Sequence, residues 1–127
     1  MLWQRIRPAI FLQLVHAGLS VTWNLAGLAL IAQGSRAPGP TASLGVAAFL
    51  LIMAAGMVVG ARRFAPLYVV ASLIVGLGAL WAVIQAFQLD PALWPSSFWR
   101  YAGVVLNGGG VLGAAWGIQG WLKWRRG

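Results

Sequence analysis

Apolar residues in this chain fall into four long blocks separated by short turn-rich or basic breaks, and within each block the apolar run is continuous rather than alternating. About 20 apolar residues in helical form cross a hydrocarbon core of ~30 Å. Blocks at 8–32, 42–61, 64–87 and 98–122 therefore predict four transmembrane helices in a single all-α domain covering 1–127. The first break, Gly34-Ser35-Arg36-Ala37-Pro38-Gly39-Pro40, supports neither helix nor strand. The second is little more than Arg62-Arg63, with Pro66 suited to a first helical turn, so blocks two and three should form a tight hairpin. The third runs from Gln88 to Ser97 and carries Asp90-Pro91 and Trp94-Pro95. A transmembrane barrel would need strict alternation over ~10 residues per strand, which none of the blocks shows.

Polar residues interrupt the first block at Gln13, His16, Ser20 and Asn24, spaced by three, four and four. On a helix these positions share one narrow stripe. A polar side chain facing hydrocarbon is costly, so the stripe is expected to meet a neighbouring helix or another subunit. Small residues recur at helical spacing elsewhere: Gly109, Gly113 and Gly117 in block four, Gly56 and Gly60 in block two, and Ser72, Gly76, Gly78, Ala82 and Ala86 in block three. Such rows let helix backbones approach closely in lipid. The expected helix interface thus comprises Gln13, His16, Ser20, Asn24, Gly56, Gly60, Gly109, Gly113 and Gly117. Asn24, Gln85 and Asn107 fall at similar depth, which suggests a hydrogen-bonded cluster. Trp3, Trp121 and Trp124 at one boundary and Trp94 and Trp99 at the other match aromatic belts, whereas Trp23, Trp81 and Trp116 lie deeper.

Composition changes this picture only by confirming its solvent. Hydrophobic residues make up 61% of the chain and charged residues 8%, against roughly a quarter charged in a soluble domain. Charge then supplies an orientation. Arg5, Arg7, Arg62, Arg63, Lys123, Arg125 and Arg126 fall on one side, and only Arg36 and Arg100 on the other, beside the sole acid Asp90. Basic residues in short loops stay cytoplasmic, so both termini are expected inside (N-in/C-in), as in a multi-pass protein of a bacterial inner membrane. The net charge of +8 is spread over helix ends rather than gathered on one face. Anionic lipid headgroups are thus the expected partner, and nucleic acid is not.

Candidate chemistry is sparse. There is no cysteine, one histidine and one acid, so neither paired carboxylates, a Ser-His-Asp set nor three metal ligands can be assembled from one chain. Gly108-Gly109-Gly110 lies inside an apolar run with no following Lys-Ser/Thr, so it is not a phosphate loop. An enzyme is not expected, and neither is a signal peptide, because the first apolar run is too long and carries polar residues. No cofactor is expected in the main reading. An axial bond from His16 to haem or a chlorin is the alternative, since imidazole is the one metal-binding group available. Small multidrug transporters share this length and helix count but rely on an acidic residue in the first helix, which is absent here. The functional expectation is an accessory subunit that packs against other membrane subunits or itself. A small oligomeric transporter or channel lined by the helix-one stripe is the second possibility, and a pigment-binding subunit the third.

Overall fold

A computed structural model describes residues 1–127. It contains α1 (Leu2–Ala32), α2 (Leu44–Arg63), α3 (Ala65–Gln88), a single 3-10 turn (Pro91–Leu93) and α4 (Ser97–Arg125), with no strand. All four helices are long and apolar enough to cross a membrane. They form a closed bundle in which α1 packs on α2 and α4, and α3 packs on α2 and α4.

The first helix begins six residues before Pro8 rather than at it. Proline inside a helix costs about 3 kcal/mol through the lost amide bond and the ring clash. On the opposite side of that turn Leu2 and Ile6 are buried, and each contributes about 1.5–3 kcal/mol. Gln4, whose carbonyl loses its partner to Pro8, and Pro8 itself are exposed. Burial therefore decides the start of the helix.

The α2–α3 connection is a single residue, Phe64, whose amide donates to the Gly60 carbonyl at 3.0 Å and whose carbonyl accepts from Leu67 N–H at 3.0 Å. Arg62 and Arg63 thus end α2 itself. At the start of α2, Ser43 Oγ accepts the Val46 amide at 3.1 Å, a side-chain cap. The apolar core, centred on Ile6, Ile10, Met57, Tyr68 and Ala71, fills the half of the bundle that carries the chain termini. At that basic end the Arg62 guanidinium stacks 4.3 Å over Trp3 and that of Arg125 lies 4.9 Å over Trp121. At the opposite, loop end, Arg36 Nη2 donates to the Ala92 carbonyl at 2.6 Å and ties the two long loops together. Trp94 does not belong to an aromatic belt: it is buried, turned under the first loop beside Gly39. Trp81 and Trp116 are more than half exposed on the bundle's exterior.

Candidate binding cavity

Helix α1 turns its polar stripe inward. Gln13, His16, Ser20 and Asn24 are all buried, but each finds a different environment. Gln13 meets α3 across the bundle: Tyr68 Oη donates to Gln13 Oε1 at 2.7 Å, and Gln13 Nε2 donates to Ser72 Oγ at 2.9 Å. Tyr68 and Ser72 are fully buried and lie one helical turn apart on α3. This three-residue layer satisfies both ends of the glutamine amide at mid-bundle, where no water would.

Glycines make room for that layer. A β-carbon at Gly117 would overlap the Tyr68 hydroxyl, and one at Gly60 would overlap the Tyr68 backbone amide. A β-carbon at Gly113 would stand 3.0 Å from Gln13 Cγ, one at Gly110 2.6 Å from His16 Nε2, and one at Gly120 2.7 Å from Ile6 Cγ2. The row of α4 that contacts α1 and α3 is thus Gly110, Gly113, Gly117 and Gly120, spaced by three, four and three. Gly109, expected in this row, is not in it: a β-carbon there meets nothing within 4 Å. A spacing of four residues gains about 40° per step on a helix of 3.6 residues per turn, so two such steps carry Gly109 off the contact line, and Gly110 takes its place. On the other helices a β-carbon at Gly56 would stand an ordinary 3.7 Å from Ala71 Cβ, and one at Gly76 would come 2.6 Å from Ala114 Cβ across α3 and α4.

Beyond the Gln13 layer, towards the loop end, the four helices enclose a partly open cavity of about 460 Å³. His16, Ser20 and Asn24 line it from α1, Gln85 from α3 and Asn107 from α4, with Trp23 and Trp94 among its aromatic walls. Trp23 also stacks edge-on against Trp99, with ring centroids 5.8 Å apart. The expected cluster of Asn24, Gln85 and Asn107 does not form, because both asparagines are bound to nearby backbone. Asn24 Nδ2 donates to the Ser20 carbonyl at 2.9 Å, and its Oδ1 accepts the Ser43 amide at 3.0 Å. Asn107 Nδ2 donates to the Gly103 carbonyl at 3.0 Å, which leaves its Oδ1 facing His16 Nε2 at 3.5 Å. Two buried polar atoms among the lining residues have no partner in the chain: His16 Nδ1 and Ser20 Oγ. Charge is confined to the rim, where Arg100 Nε donates to the Ala86 carbonyl at 2.7 Å. The acid Asp90 caps the 3-10 turn through the Ala92 amide and does not border the cavity.

The Nε2 face of the His16 imidazole is occupied within the chain. Its Nε2 is pressed against the Cα side of Gly110, where even a β-carbon would come within 2.6 Å, and against Asn107. A macrocycle centred on that nitrogen would need the space α4 occupies. No group of three or more His, Cys, Asp or Glu comes together anywhere in the fold. What the cavity offers is apolar and aromatic contact with a few fixed hydrogen-bonding atoms, the usual make-up of a small-molecule site.

Tyr68 and Ser72 were the residues that sequence alone did not connect to Gln13. Their one signal is that they are the two hydroxyl-bearing residues of α3, spaced by four and therefore on one face. The chain matches no family model, no curated protein and no solved structure.

Proposed function

We propose that this chain is a small multi-pass protein of a bacterial inner membrane, with both termini cytoplasmic, that serves as an accessory subunit by holding a lipid-soluble small molecule in the outward half of its bundle. The observation that carries this reading is the cavity of about 460 Å³, lined by apolar and aromatic side chains together with the polar residues His16, Ser20, Asn24, Gln85 and Asn107. Pockets of ~300–1,000 Å³ with a largely apolar wall and few polar groups are typical of ligand sites. Seven of the nine basic residues lie at the other end, and this bias of positive charge supports the reading that the cavity is on the non-cytoplasmic side. The basic end, with Trp3, Trp121 and Trp124 beside the arginines, suits anionic headgroups.

The polar stripe and the glycine rows engage helices of the same chain. Contact with other subunits, or with a second copy, is therefore assigned to the remaining apolar exterior. A transporter is the second reading, favoured by the hydrogen-bonded Gln13–Tyr68–Ser72 layer beside a partly open cavity.

The test is to purify the protein in detergent, extract it with organic solvent and compare the extract by mass spectrometry with that of Ala82→Phe, which places a ring in the cavity. A molecule enriched near one per chain in the wild type and lost in the variant supports the reading. Equal extracts from the two, together with no shift in melting temperature on adding membrane lipid extract, would sink it. Uptake of the same molecule into proteoliposomes would favour the transporter.

A further inference from the structure

We infer that the cavity takes an amphiphile with an anionic head group, a carboxylate or a phosphate ester, held at the rim by the Arg100 guanidinium while its apolar body lies among the helices. The inference rests on the cavity being a binding site and specifies its ligand.

Arg100, in the first turn of α4, is the one residue with a full charge that borders the cavity. Its Nε donates to the Ala86 carbonyl at 2.7 Å, and its guanidinium carbon lies 5.5 Å from the ring centres of Phe87 and Tyr101. Those contacts hold the group in place and leave both Nη nitrogens without an acceptor in the chain. No carboxylate balances the charge, because the sole acid, Asp90, caps the 3-10 turn and does not border the cavity. A half-buried cation beside apolar walls attracts an anion more strongly than one in open water, since the local dielectric is lower. The paired Nη–H groups also match the two oxygens of a carboxylate or phosphate.

Two neutral donors border the same cavity. The indole nitrogens of Trp23 and Trp94 bond to nothing in the chain, and neither is sealed off, since the only polar atoms both occluded and unpartnered are His16 Nδ1 and Ser20 Oγ. Gly39 brings the two indoles together: a β-carbon there would stand 3.4 Å from Trp23 Nε1 and 3.6 Å from Trp94 Nε1, so both nitrogens flank one point that glycine leaves empty. The Trp23 ring then reaches α4, where Trp99 stacks on it at 5.8 Å and a β-carbon at Gly103 would stand 3.7 Å from its Cζ2 and Cη2. It packs on the turn that carries Arg100. An indole N–H and a guanidinium donate and never accept, so this end of the cavity asks for acceptor oxygens. Gln85 offers both a donor and an acceptor and decides nothing. A ketone would leave the arginine charge unbalanced, and an ammonium would meet it with a like charge. Phe49, Leu50 and Val75 supply apolar wall for the rest of the molecule. At about 460 Å³ the cavity is of a size for a drug-sized ligand, which favours a single chain or ring system over the two chains of a phospholipid.

The probes are 11-bromoundecanoate and 11-bromoundecan-1-ol, which share a chain and differ in the head group, and whose bromine quenches tryptophan fluorescence on contact. Titrations run in a nonionic detergent at pH about 8.5, where a carboxyl group is ionised. Ala82→Phe in the same micelles is the blank, so that association of an anion with the basic end of the bundle is subtracted. The wild type should prefer the carboxylate by about tenfold or more, the discrimination expected from a charge-assisted hydrogen bond. Arg100→Gln should erase that preference while the alcohol still binds, and Arg100→Lys, which keeps the charge without the fork, should retain part of it. Trp23→Phe, which keeps a ring and removes an N–H that has no partner in the chain, should weaken the carboxylate about three- to tenfold. Dodecyl phosphate should displace the bromo acid, and the same concentration of inorganic phosphate should not; displacement by inorganic phosphate would overturn the amphiphile in favour of a free anion. Equal affinity of the wild type for the two probes, with both lost in Ala82→Phe, would overturn the anionic head group while leaving the cavity as a site. A preference that survives in Arg100→Gln would overturn the assignment to Arg100. Should that variant not fold, wild-type binding of the carboxylate by both Arg100→Lys and Trp23→Phe would overturn it equally. Binding of neither probe would overturn the inference, and the co-purified extract then judges the site by itself.

Discussion

The hydroxyl of Tyr68 lies where the β-carbon of any residue but glycine at position 117 would sit, and from there it donates to Gln13 Oε1 at 2.7 Å. With its backbone set against Gly60, this one tyrosine fixes α3 against three other helices: α2 through Gly60, α1 through Gln13 and α4 through Gly117. In lipid, where apolar surface gives no net drive for helices to associate, such close contacts and buried hydrogen bonds set helix register.

Gly117→Ala should therefore lower stability by about 2–4 kcal/mol, combining overpacking with a broken hydrogen bond. Tyr68→Phe should cost about 1–3 kcal/mol by stranding Gln13 Oε1. The two changes should not add: once the hydroxyl is gone the alanine at 117 loses its worst clash and meets ring carbon Cζ at 3.0 Å instead, so the double variant should be at least ~1 kcal/mol more stable than the sum implies. Thermal unfolding in detergent measures this. Strict additivity would mean that the hydroxyl does not occupy that space.

Neighbouring glycines in α4 should respond in opposite ways. Alanine at Gly109 meets open space and should leave stability unchanged or raise it by up to ~1 kcal/mol through helix propensity. Alanine at Gly110 meets the His16 ring from 2.6 Å and should cost about 1–3 kcal/mol. Equal losses at the two positions would put Gly109 back in the contact row.

Along the α1 stripe, burial alone does not predict cost. Ser20→Ala removes a hydroxyl without a partner and should change stability by less than ~0.5 kcal/mol or increase it. Asn24→Ala should cost about 1–3 kcal/mol, because the Ser43 amide at the start of α2 loses its acceptor. Melting temperatures of the two variants in the absence of added ligand decide the point. A Ser20→Ala loss as large as that of Asn24→Ala would show a hydrogen bond at Ser20.

The proposed orientation has its own check. A reporter active only in the cytoplasm should work when fused after Gly127 and fail when inserted in the Gly34–Pro40 loop, and a reporter that needs export should behave conversely. The reverse pattern would place the cavity on the cytoplasmic side.

Four helices, their breaks and their approximate ends were determined by sequence alone, because lipid-scale apolar runs and proline- and glycine-rich breaks act locally and need no knowledge of neighbours. The spacing of Gln13, His16, Ser20 and Asn24 likewise placed them on one face, since helical periodicity is a property of a single helix. Tertiary structure decided everything that depends on which face meets which. It extended α1 past Pro8, because the gain from burying Leu2 and Ile6 appears only once other helices are present to cover them. It chose Gly110 over Gly109, because a repeat of four drifts around the helix and only the position of His16 picks out the glycine that must stay small. It bound Gln13 to Tyr68 and Ser72, more than fifty residues away, yet left His16 Nδ1 and Ser20 Oγ unpaired on the same stripe. Four residues that the sequence could only treat alike were thus divided between a sealed layer and an open cavity, because a hydrogen bond depends on the distance and direction of a partner that helical spacing does not encode.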